Sequence, residues 1–142
     1  MKIVDLNILL YVVNKDDPRH EQAWQWWHAA LSSGEPIGFA WITLVGYLRI
    51  ATHPSVFANP QTTAEALERV DSWLDHPHTQ LVTEADDHWR ILSQLLHETG
   101  TVGNRATDAH LAALTISRGA TLVSYDADFS RFRQLRWENP AD

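Results

Sequence analysis

The sequence predicts a three-layer α/β/α domain with a short parallel sheet of four or five strands. Short apolar runs such as "PIGFA", "TQLVT" and "ATLVSYD" alternate along the chain with longer stretches of helical periodicity. Strands made of continuous apolar residues are typical of a parallel sheet covered by helices on both faces. The length of 142 residues suits one domain, and no internal repeat or long linker divides it, so residues 1–142 are expected to form a single domain.

The composition is that of a soluble globular protein, with 44% hydrophobic and 20% charged residues. No apolar run approaches the roughly 18 residues of a membrane span, and the N-terminus lacks the layout of a signal peptide, so we expect a cytoplasmic protein. The absence of cysteine excludes disulfides and thiolate zinc sites. The net charge of −7 argues against binding nucleic acid by bulk electrostatics, and it fits a carboxylate-rich metal site or a basic partner.

The first strand, "IV" at residues 3–4, leads directly into a helical run. Residues 17–34 predict a second helix, with Asp17 as N-cap, Pro18 in the first helical position and Gly34 after the last turn. The later elements are, in order, a strand "PIGFA", a helix that stops near Pro54, a helix between Pro60 and Pro77, a strand "TQLVT", an amphipathic helix in "EADDHWRILSQLLHETG" that Gly100 follows, a helix that contains Asp108, a strand "ATLVSYD", a short turn-helix "DADFSRF" and a tail around Trp137.

Two of these helices have recognisable apolar faces. On "EADDHWRILSQLLHETG" the face consists of Trp89, Leu92, Leu95 and Leu96. On "EQAWQWWHAALSS" the stripe expected to pack on the sheet consists of Trp24, Trp27 and Leu31. This stripe leaves Trp26 exposed, as a candidate anchor for a partner helix.

Three aspartates come directly after strands of the predicted sheet. Asp5 follows the first strand, and Asp126 and Asp128 follow "TLVSY". The carboxyl ends of parallel strands lie along the same edge of a sheet, where binding sites form. Asp108 opens the helix before the last long strand, and that helix can be entered from the same edge because no clear strand precedes it. We therefore expect these carboxylates to converge.

Converging carboxylates repel one another, and such a cluster is tolerable mainly when cations lie between them. Mg²⁺ or Mn²⁺ takes one or two carboxylates together with water and substrate phosphate, a site that supports hydrolysis of a phosphodiester. The alternative roles are structural: Asp126 and Asp128 suit a turn, and Asn7 suits a helix cap or contact with a metal-bound water. Asp5 is harder to explain in that way, because it interrupts two apolar runs. We expect Asp108 both to cap its helix and to bind the cation.

The segments "IVDLNILLYVVN", "ATDAHLAAL" and "LVSYDADFSRF" together resemble the PIN domain, and specifically VapC-type toxins of bacterial toxin–antitoxin systems. The resemblance covers almost the whole chain in the right order. It implies a PIN-like fold and an endoribonuclease, dependent on Mg²⁺ or Mn²⁺, that cleaves RNA such as tRNA, rRNA or mRNA. It also implies a cognate VapB-like antitoxin that holds the toxin inactive, within a homodimer or a toxin–antitoxin hetero-oligomer.

By this resemblance, the family's metal-binding aspartates correspond to Asp5 and Asp108, and its further acidic positions to Asp126, a third expected ligand, and Asp128. Asn7 matches the small polar residue two places after the first aspartate. Gly46 stands where the family commonly has a glutamate, and "ITLVGYLRIATHPSVF" resembles a branch that lacks it. Asp5 and Asp108 can still hold one cation between them, whereas a second cation lacks its usual ligand. Candidates for binding substrate are Asn7, Arg49 and Arg105.

Other classes of protein make different demands on these positions. A PIN-fold binding module without activity is the alternative that Gly46 favours. An aspartyl phosphotransferase of the haloacid dehalogenase type needs a second aspartate two residues after the first, where this chain has Asn7. A phosphate-sensing receiver domain needs a lysine late in the chain, whereas the lysines here are Lys2 and Lys15.

Overall fold

A computed structural model describes residues 1–100 and 105–142 of the chain, apart from the side chain of Arg105. The strands in this part are β1 (Lys2–Val4), β2 (Ile37–Ala40), β3 (Thr79–Val82), β4 (Thr121–Val123) and β5 (Arg136–Glu138). The helices are α1 (Leu6–Val13), α2 (His20–Ser32), α3 (Trp41–Ala51), α4 (Thr63–Leu74), α5 (His88–Thr99) and α6 (Arg105–Ser117). A 3₁₀ helix, Ala127–Arg131, joins β4 to β5.

The five strands form one parallel sheet in the order β3-β2-β1-β4-β5. β1 is central, and its register places Ile3 beside Gly38 of β2 and Leu122 of β4. The predicted α/β class is therefore confirmed. β5 lies in the segment expected to be a tail, and it pairs Trp137 with Leu122. A three-residue strand of this kind has no periodicity of its own, and its pairing with β4 defines it.

Because Gly38 has no side chain, β2 can pack closely beside its neighbouring strands β1 and β3. A Cβ atom at this position would lie 2.5 Å from Cγ2 of Val82, 3.0 Å from Sδ of Met1 and 3.1 Å from Cγ1 of Ile3. Two of these neighbours are side chains of adjoining strands, so β2 accepts at this point only a residue without a side chain.

Apolar cores lie on both faces of the sheet, as the continuous apolar strands predict. Val4, Phe39 and Val123 face the core formed with α1 to α4. Ile3, Ala40 and Leu122 face the other core, formed with α5 and α6. Helices thus cover both faces of the sheet, and the strand ends remain as the place where polar side chains can gather.

Four aromatic rings form the centre of the larger core. Trp73 of α4 lies 6.0 Å from the Trp27 ring, 6.1 Å from the Phe39 ring and 4.8 Å from the Tyr47 ring, measured between centroids. These distances are in the range of favourable aromatic pairs. Through Trp73, α4 packs against residues of α2, β2 and α3.

The start of α2 differs from the prediction. The helix begins at His20, and Asp17 is not its N-cap. Instead the Asp17 carboxylate accepts hydrogen bonds from the backbone and side chain of Arg19, at 2.8 to 3.2 Å. The bidentate pair with the arginine fork holds Asp17 in the loop before the helix.

The packing of α2 also differs from the predicted stripe. Ala23 and Trp27 are buried, whereas Trp24 is 44% exposed. Trp26 is half-buried, and its indole N–H donates to Oε1 of Glu138 in β5 at 2.8 Å. The expectation that Trp26 is exposed is therefore wrong. Its contact with β5 was not foreseeable, because β5 itself was not predicted.

The apolar face of α5 is centred on Ile91 and Leu95, which are buried. Trp89 is 73% exposed, so its predicted place on this face is wrong. Trp89 precedes Ile91 by two positions, which turns its side chain about 200° around the helix. None of the helices in the two described ranges is long and apolar enough to cross a membrane.

The aromatic cluster gives the first test of this fold. Trp73→Ala removes a ring that contacts three others in the core, so we expect it to lower the free energy of unfolding by about 3–5 kcal/mol. Trp89→Ala is the matched control, and its exposed ring predicts a change within about 0.5 kcal/mol. Urea denaturation measures both values. Equal losses in the two variants would contradict the packing described here.

Candidate active site

Asp5 is fixed by the end of the central strand and the start of the first helix. Its backbone N–H donates to the carbonyl of Val123 at 2.9 Å, which ties it to the end of β4. Oδ1 accepts a hydrogen bond from the N–H of Leu6 at 2.7 Å, so Asp5 is the N-cap of α1. Oδ2 accepts from the hydroxyl of Ser124 at 2.6 Å. The carboxylate therefore has a defined position between two neighbouring strands.

The surroundings of Asp5 disfavour its charge when no cation is present. Burial raises the pKa of Asp5 above its usual value of 3.8, and the negative charge of Asp126 raises the pKa further. Hydrogen bonds from Ser124 and Leu6 act in the opposite direction and lower the pKa. A carboxylate held in this balance gains from a positive charge placed beside it.

Asn7 links Asp5 to the end of β4. Its Nδ2 donates to Oδ2 of Asp5 at 3.2 Å and to Oγ of Ser124 at 3.1 Å, and its Oδ1 accepts from the N–H of Tyr125 at 3.2 Å. Asp5 rather than Asn7 caps α1, so the capping role considered for Asn7 is wrong. Both amide hydrogens are used within the protein, which makes Asn7 a positioning residue for the Asp5 carboxylate.

Asp126 and Asp128 lie at the end of β4, as predicted, but they have different surroundings. The N–H of Asp126 donates to Oγ of Ser124 at 3.0 Å, so one hydroxyl holds both Asp5 and Asp126. The Asp126 carboxylate caps the 3₁₀ helix by accepting from the N–H of Asp128 at 2.9 Å. The Asp128 side chain is 58% exposed and lies 3.3 Å from the guanidinium of Arg131.

Asp108 lies in the first turn of α6, and its side chain is half-buried. The helix begins at Arg105, so the expectation that Asp108 is the N-cap is wrong. The helix starts earlier because "RAT" has acceptable helical propensity and joins the first turn. A carboxylate in this turn still interacts favourably with the positive end of the helix dipole.

Asp5 and Asp108 line the same cavity, which has a volume of about 230 Å³. The full lining is Asp5, Leu6, Ile42, Thr43, Gly46, Arg49, Thr107, Asp108 and Leu111. Residues from α1, α3 and α6 thus surround one opening at the carboxyl end of β1. The predicted meeting of Asp5 and Asp108 at this edge of the sheet is what the structure shows.

The four aspartates do not all gather at one point. Asp126 is close enough to Asp5 to raise its pKa, but neither Asp126 nor Asp128 belongs to the lining of the cavity. Within residues 1–100 and 105–142, no three side chains of His, Cys, Asp or Glu are grouped closely enough to hold a metal ion by themselves. The arrangement is a pair, Asp5 and Asp108, with Asp126 beside it.

The α3 wall of the cavity contains the expected departure at Gly46. A Cβ atom at Gly46 would lie 3.0 Å from Cδ2 of Leu6, so the leucine side chain occupies the adjoining space. Arg49, a predicted substrate contact, lies one turn further along α3 and also lines the cavity. The side chain of Arg105, the other predicted arginine, lies outside the described residues.

Two polar residues of the site were missed by the sequence analysis. Ser124 is fully buried and bonds to Asp5, Asn7 and Asp126. Thr43 is also buried, and it lines the cavity. The signal for Ser124 was present, since it is a polar residue directly after an apolar strand, as Asp5 is. Thr43 lies inside a predicted helix, where nothing distinguishes it from a surface residue.

Comparisons with known proteins agree with this geometry. The PIN domain family matches residues 2–135. Ribonuclease VapC37 of Mycobacterium tuberculosis is 42% identical over 99% of this chain and 97% of its own length. FitAcB from Neisseria gonorrhoeae superimposes with a TM-score of 0.74 at 17% identity, covering 99% of both chains. VapBC2 from Rickettsia felis, solved with a DNA fragment from its promoter, gives 0.72 at 18% identity over 97% of both chains. The two solved structures share the fold.

The Ser124 hydroxyl provides a test of the Asp5 environment. An aspartate whose pKa is raised on folding binds its proton more tightly in the native state, so stability falls as the pH rises from 3.8 through the raised pKa. Ser124→Ala removes a hydrogen bond that lowers the pKa and should enlarge this fall. We expect the deficit in the free energy of unfolding, relative to wild type, to grow between acidic and neutral pH without divalent cations.

Ser124→Thr is the control, because it keeps the hydroxyl group and should keep the wild-type pH profile. Urea titrations at a series of pH values measure all three proteins. A deficit of Ser124→Ala that stays constant with pH would show that the hydroxyl does not act on the charge of Asp5.

Proposed function

The chain belongs to the PIN-domain family, and we propose that it is a metal-dependent endoribonuclease, the toxin of a toxin–antitoxin pair. The observation that carries this proposal is that Asp5 and Asp108, far apart in sequence, line one cavity at the carboxyl edge of the sheet. A relative of 42% identity over nearly the whole chain is named a VapC ribonuclease, which supports the same activity. We propose that residues 1–142 form one such domain.

The residues of the cavity fit Mg²⁺ or Mn²⁺. Asp5 and Asp108 offer hard oxygen atoms, and such ions need only one or two carboxylates because water and substrate phosphate complete their coordination. A carboxylate has about four acceptor positions. Asp5 accepts one hydrogen bond at Oδ1 and two at Oδ2, so one position on Oδ1 is left for a cation. When bound, the cation would polarise the phosphodiester and lower the pKa of a water molecule.

The chain's own groups would bind and orient the reactants. The water oxygen bonds to phosphorus as one ester P–O bond breaks; one water proton moves to the leaving oxygen, and the other stays with the new phosphate or passes to solvent. Asp126 lies outside the lining of the cavity, so its proposed part is indirect: its half-buried negative charge next to Asp5 adds to the attraction of the site for a cation. Asn7 and Ser124 keep Asp5 in position. Asp128 contributes least, since it is exposed and paired with Arg131.

The partners that we propose are RNA and a VapB-like antitoxin. The solved structures of this fold include a toxin–antitoxin complex from Klebsiella pneumoniae, which supports pairing with an antitoxin in a hetero-oligomer. We also propose that the toxin can pair with itself. The net charge of −7 suits a basic antitoxin segment. Trp26 remains a candidate contact only along its uncovered part, because its indole N–H is bound to Glu138. The proposed place of action is the cytoplasm, where RNA is available.

A binding module without catalytic activity is the second candidate, and Gly46 is the observation in its favour. Leu6 fills the space next to Gly46, so α3 contributes no carboxylate to the cavity lining. The two candidates differ in one consequence. Only the ribonuclease requires that loss of the aspartate pair abolish RNA cleavage in a folded protein.

We expect Asp5→Asn and Asp108→Asn each to weaken Mn²⁺ binding by more than about 100-fold, since loss of outer partners of a metal ligand already costs 10–100-fold. RNA cleavage should fall to background in both variants. Asp71→Asn, an exposed change on α4, is the control and should match wild type. Calorimetric titration with Mn²⁺ and end-mapping of RNA from expressing cells give the two readouts.

Two results would contradict this account. If Asp108→Ala or Asp108→Asn leaves Mn²⁺ affinity unaltered, Asp108 is not a ligand. If the folded Asp5→Asn variant still arrests growth as wild type does, the activity does not depend on the cavity, and the binding-module interpretation takes its place.

A further inference from the structure

We propose that Arg49 binds the scissile phosphate and supplies, from α3, the positive charge that a second cation would otherwise provide. The inference rests on the proposed ribonuclease function and deepens it. It assigns to one residue of the cavity a task that the aspartate pair cannot perform.

One face of α3 lines the same cavity as the two aspartates. Ile42, Gly46 and Arg49 are spaced by four and three residues, so they follow one another along that face. The first two present no charge, and Arg49 is the cationic residue among the lining residues that the structure describes. A ligand that enters the cavity therefore meets, among the described lining residues, two carboxylates and the guanidinium of Arg49.

Arg49 is available for a ligand. Its side chain is exposed, and among the described residues it forms no ion pair or side-chain hydrogen bond. Other arginines of this acidic chain form ion pairs with an aspartate two or three positions away: Arg19, Arg90 and Arg131. Arg49 has no acidic residue within four positions of it in the sequence. Its charge therefore remains available at the mouth of the cavity.

The ligand suited to this charge is a phosphodiester. Among the described residues, the hydrogen-bond partners of the Asp5 carboxylate are Leu6, Asn7 and Ser124, so Arg49 is not bound to that carboxylate. A guanidinium presents parallel N–H groups that match two oxygens of one phosphate. A phosphodiester has two such non-bridging oxygens and one negative charge.

Among the described residues of the cavity lining, Arg49 adds the positive charge. The two carboxylates of Asp5 and Asp108 are matched by one divalent cation. The charge of the phosphate then remains, and the α3 wall cannot help to hold a second cation because Gly46 has no side chain and Leu6 occupies the space beside it. Arg49, one turn beyond Gly46, supplies the missing positive charge.

The test compares three variants of the full chain. Arg49→Gln removes the charge, and Arg49→Lys keeps the charge without the fork. Arg69→Gln is the control, since Arg69 is also exposed and unpaired among the described residues but lies on α4 against a different cavity. Mn²⁺ affinity is measured by calorimetry without RNA. Cleavage is measured as a single-turnover rate on an oligoribonucleotide that spans a site mapped in cells expressing the wild type.

We expect Arg49→Gln to slow cleavage by about 10²–10³-fold, the usual effect of removing one group that stabilises charge in a transition state. Its Mn²⁺ affinity should be unchanged or tighter, because a positive charge near the cation site has been removed. Arg49→Lys should fall between Arg49→Gln and wild type, and Arg69→Gln should match wild type.

Three results would overturn the inference. Arg49→Gln that cleaves as fast as wild type shows that Arg49 does not bind the phosphate in the reaction. Loss of Mn²⁺ affinity together with cleavage shows that Arg49 only maintains the structure of the cavity. A wild-type chain that binds no Mn²⁺ and cleaves no RNA refutes the proposed function itself, whereas the first two results leave that function intact.

Discussion

The candidate site depends on a half-buried negative charge at the end of the central strand. Asp5 cannot move away from its neighbours, because its backbone is bonded to β4 and its side chain caps α1. Burial and the charge of Asp126 act against ionisation, while the donors Leu6 and Ser124 favour it. A cation beside Asp5 would offset both unfavourable effects on its ionised form, namely burial and the repulsion from Asp126. Such a carboxylate is suited to binding a cation rather than to stabilising the fold.

The other residues of the site come from strand and helix ends that lie around Asp5. β4 is the neighbour of β1, and its end supplies Ser124, which joins Asp5 to Asp126 through one hydroxyl. α6 places Asp108 in its first turn at the same cavity, and α3 provides a further part of the lining. α3 contributes Gly46 instead of an acidic residue, so it offers no ligand for a second cation. In our proposal Arg49 therefore binds the scissile phosphate, as a second cation would do in a site with more carboxylates.

Much of this arrangement was predictable from the sequence. The continuous apolar strands predict a parallel sheet covered on both faces, and an aspartate directly after such a strand is predicted at the functional edge, where Asp5 lies. The approach of Asp108 to Asp5 was also expected. What failed depended on contacts between distant segments. Trp26 is bound to Glu138 of β5, a strand that only its pairing with β4 defines, and Ser124 gains its importance from bonds to residues more than 100 positions away. Trp89 was misplaced because helical periodicity alone does not fix which side of α5 meets the sheet.

The central claim is that Asp5 and Asp108 together bind one divalent cation, although they lie far apart in the sequence. Anomalous scattering from crystals of the wild-type protein grown with Mn²⁺ tests this claim most directly. The account predicts a manganese peak in contact with carboxylate oxygens of both Asp5 and Asp108, inside the cavity that Arg49 borders. A peak that contacts neither residue, or one held by Asp126 and Asp128 alone, would contradict it.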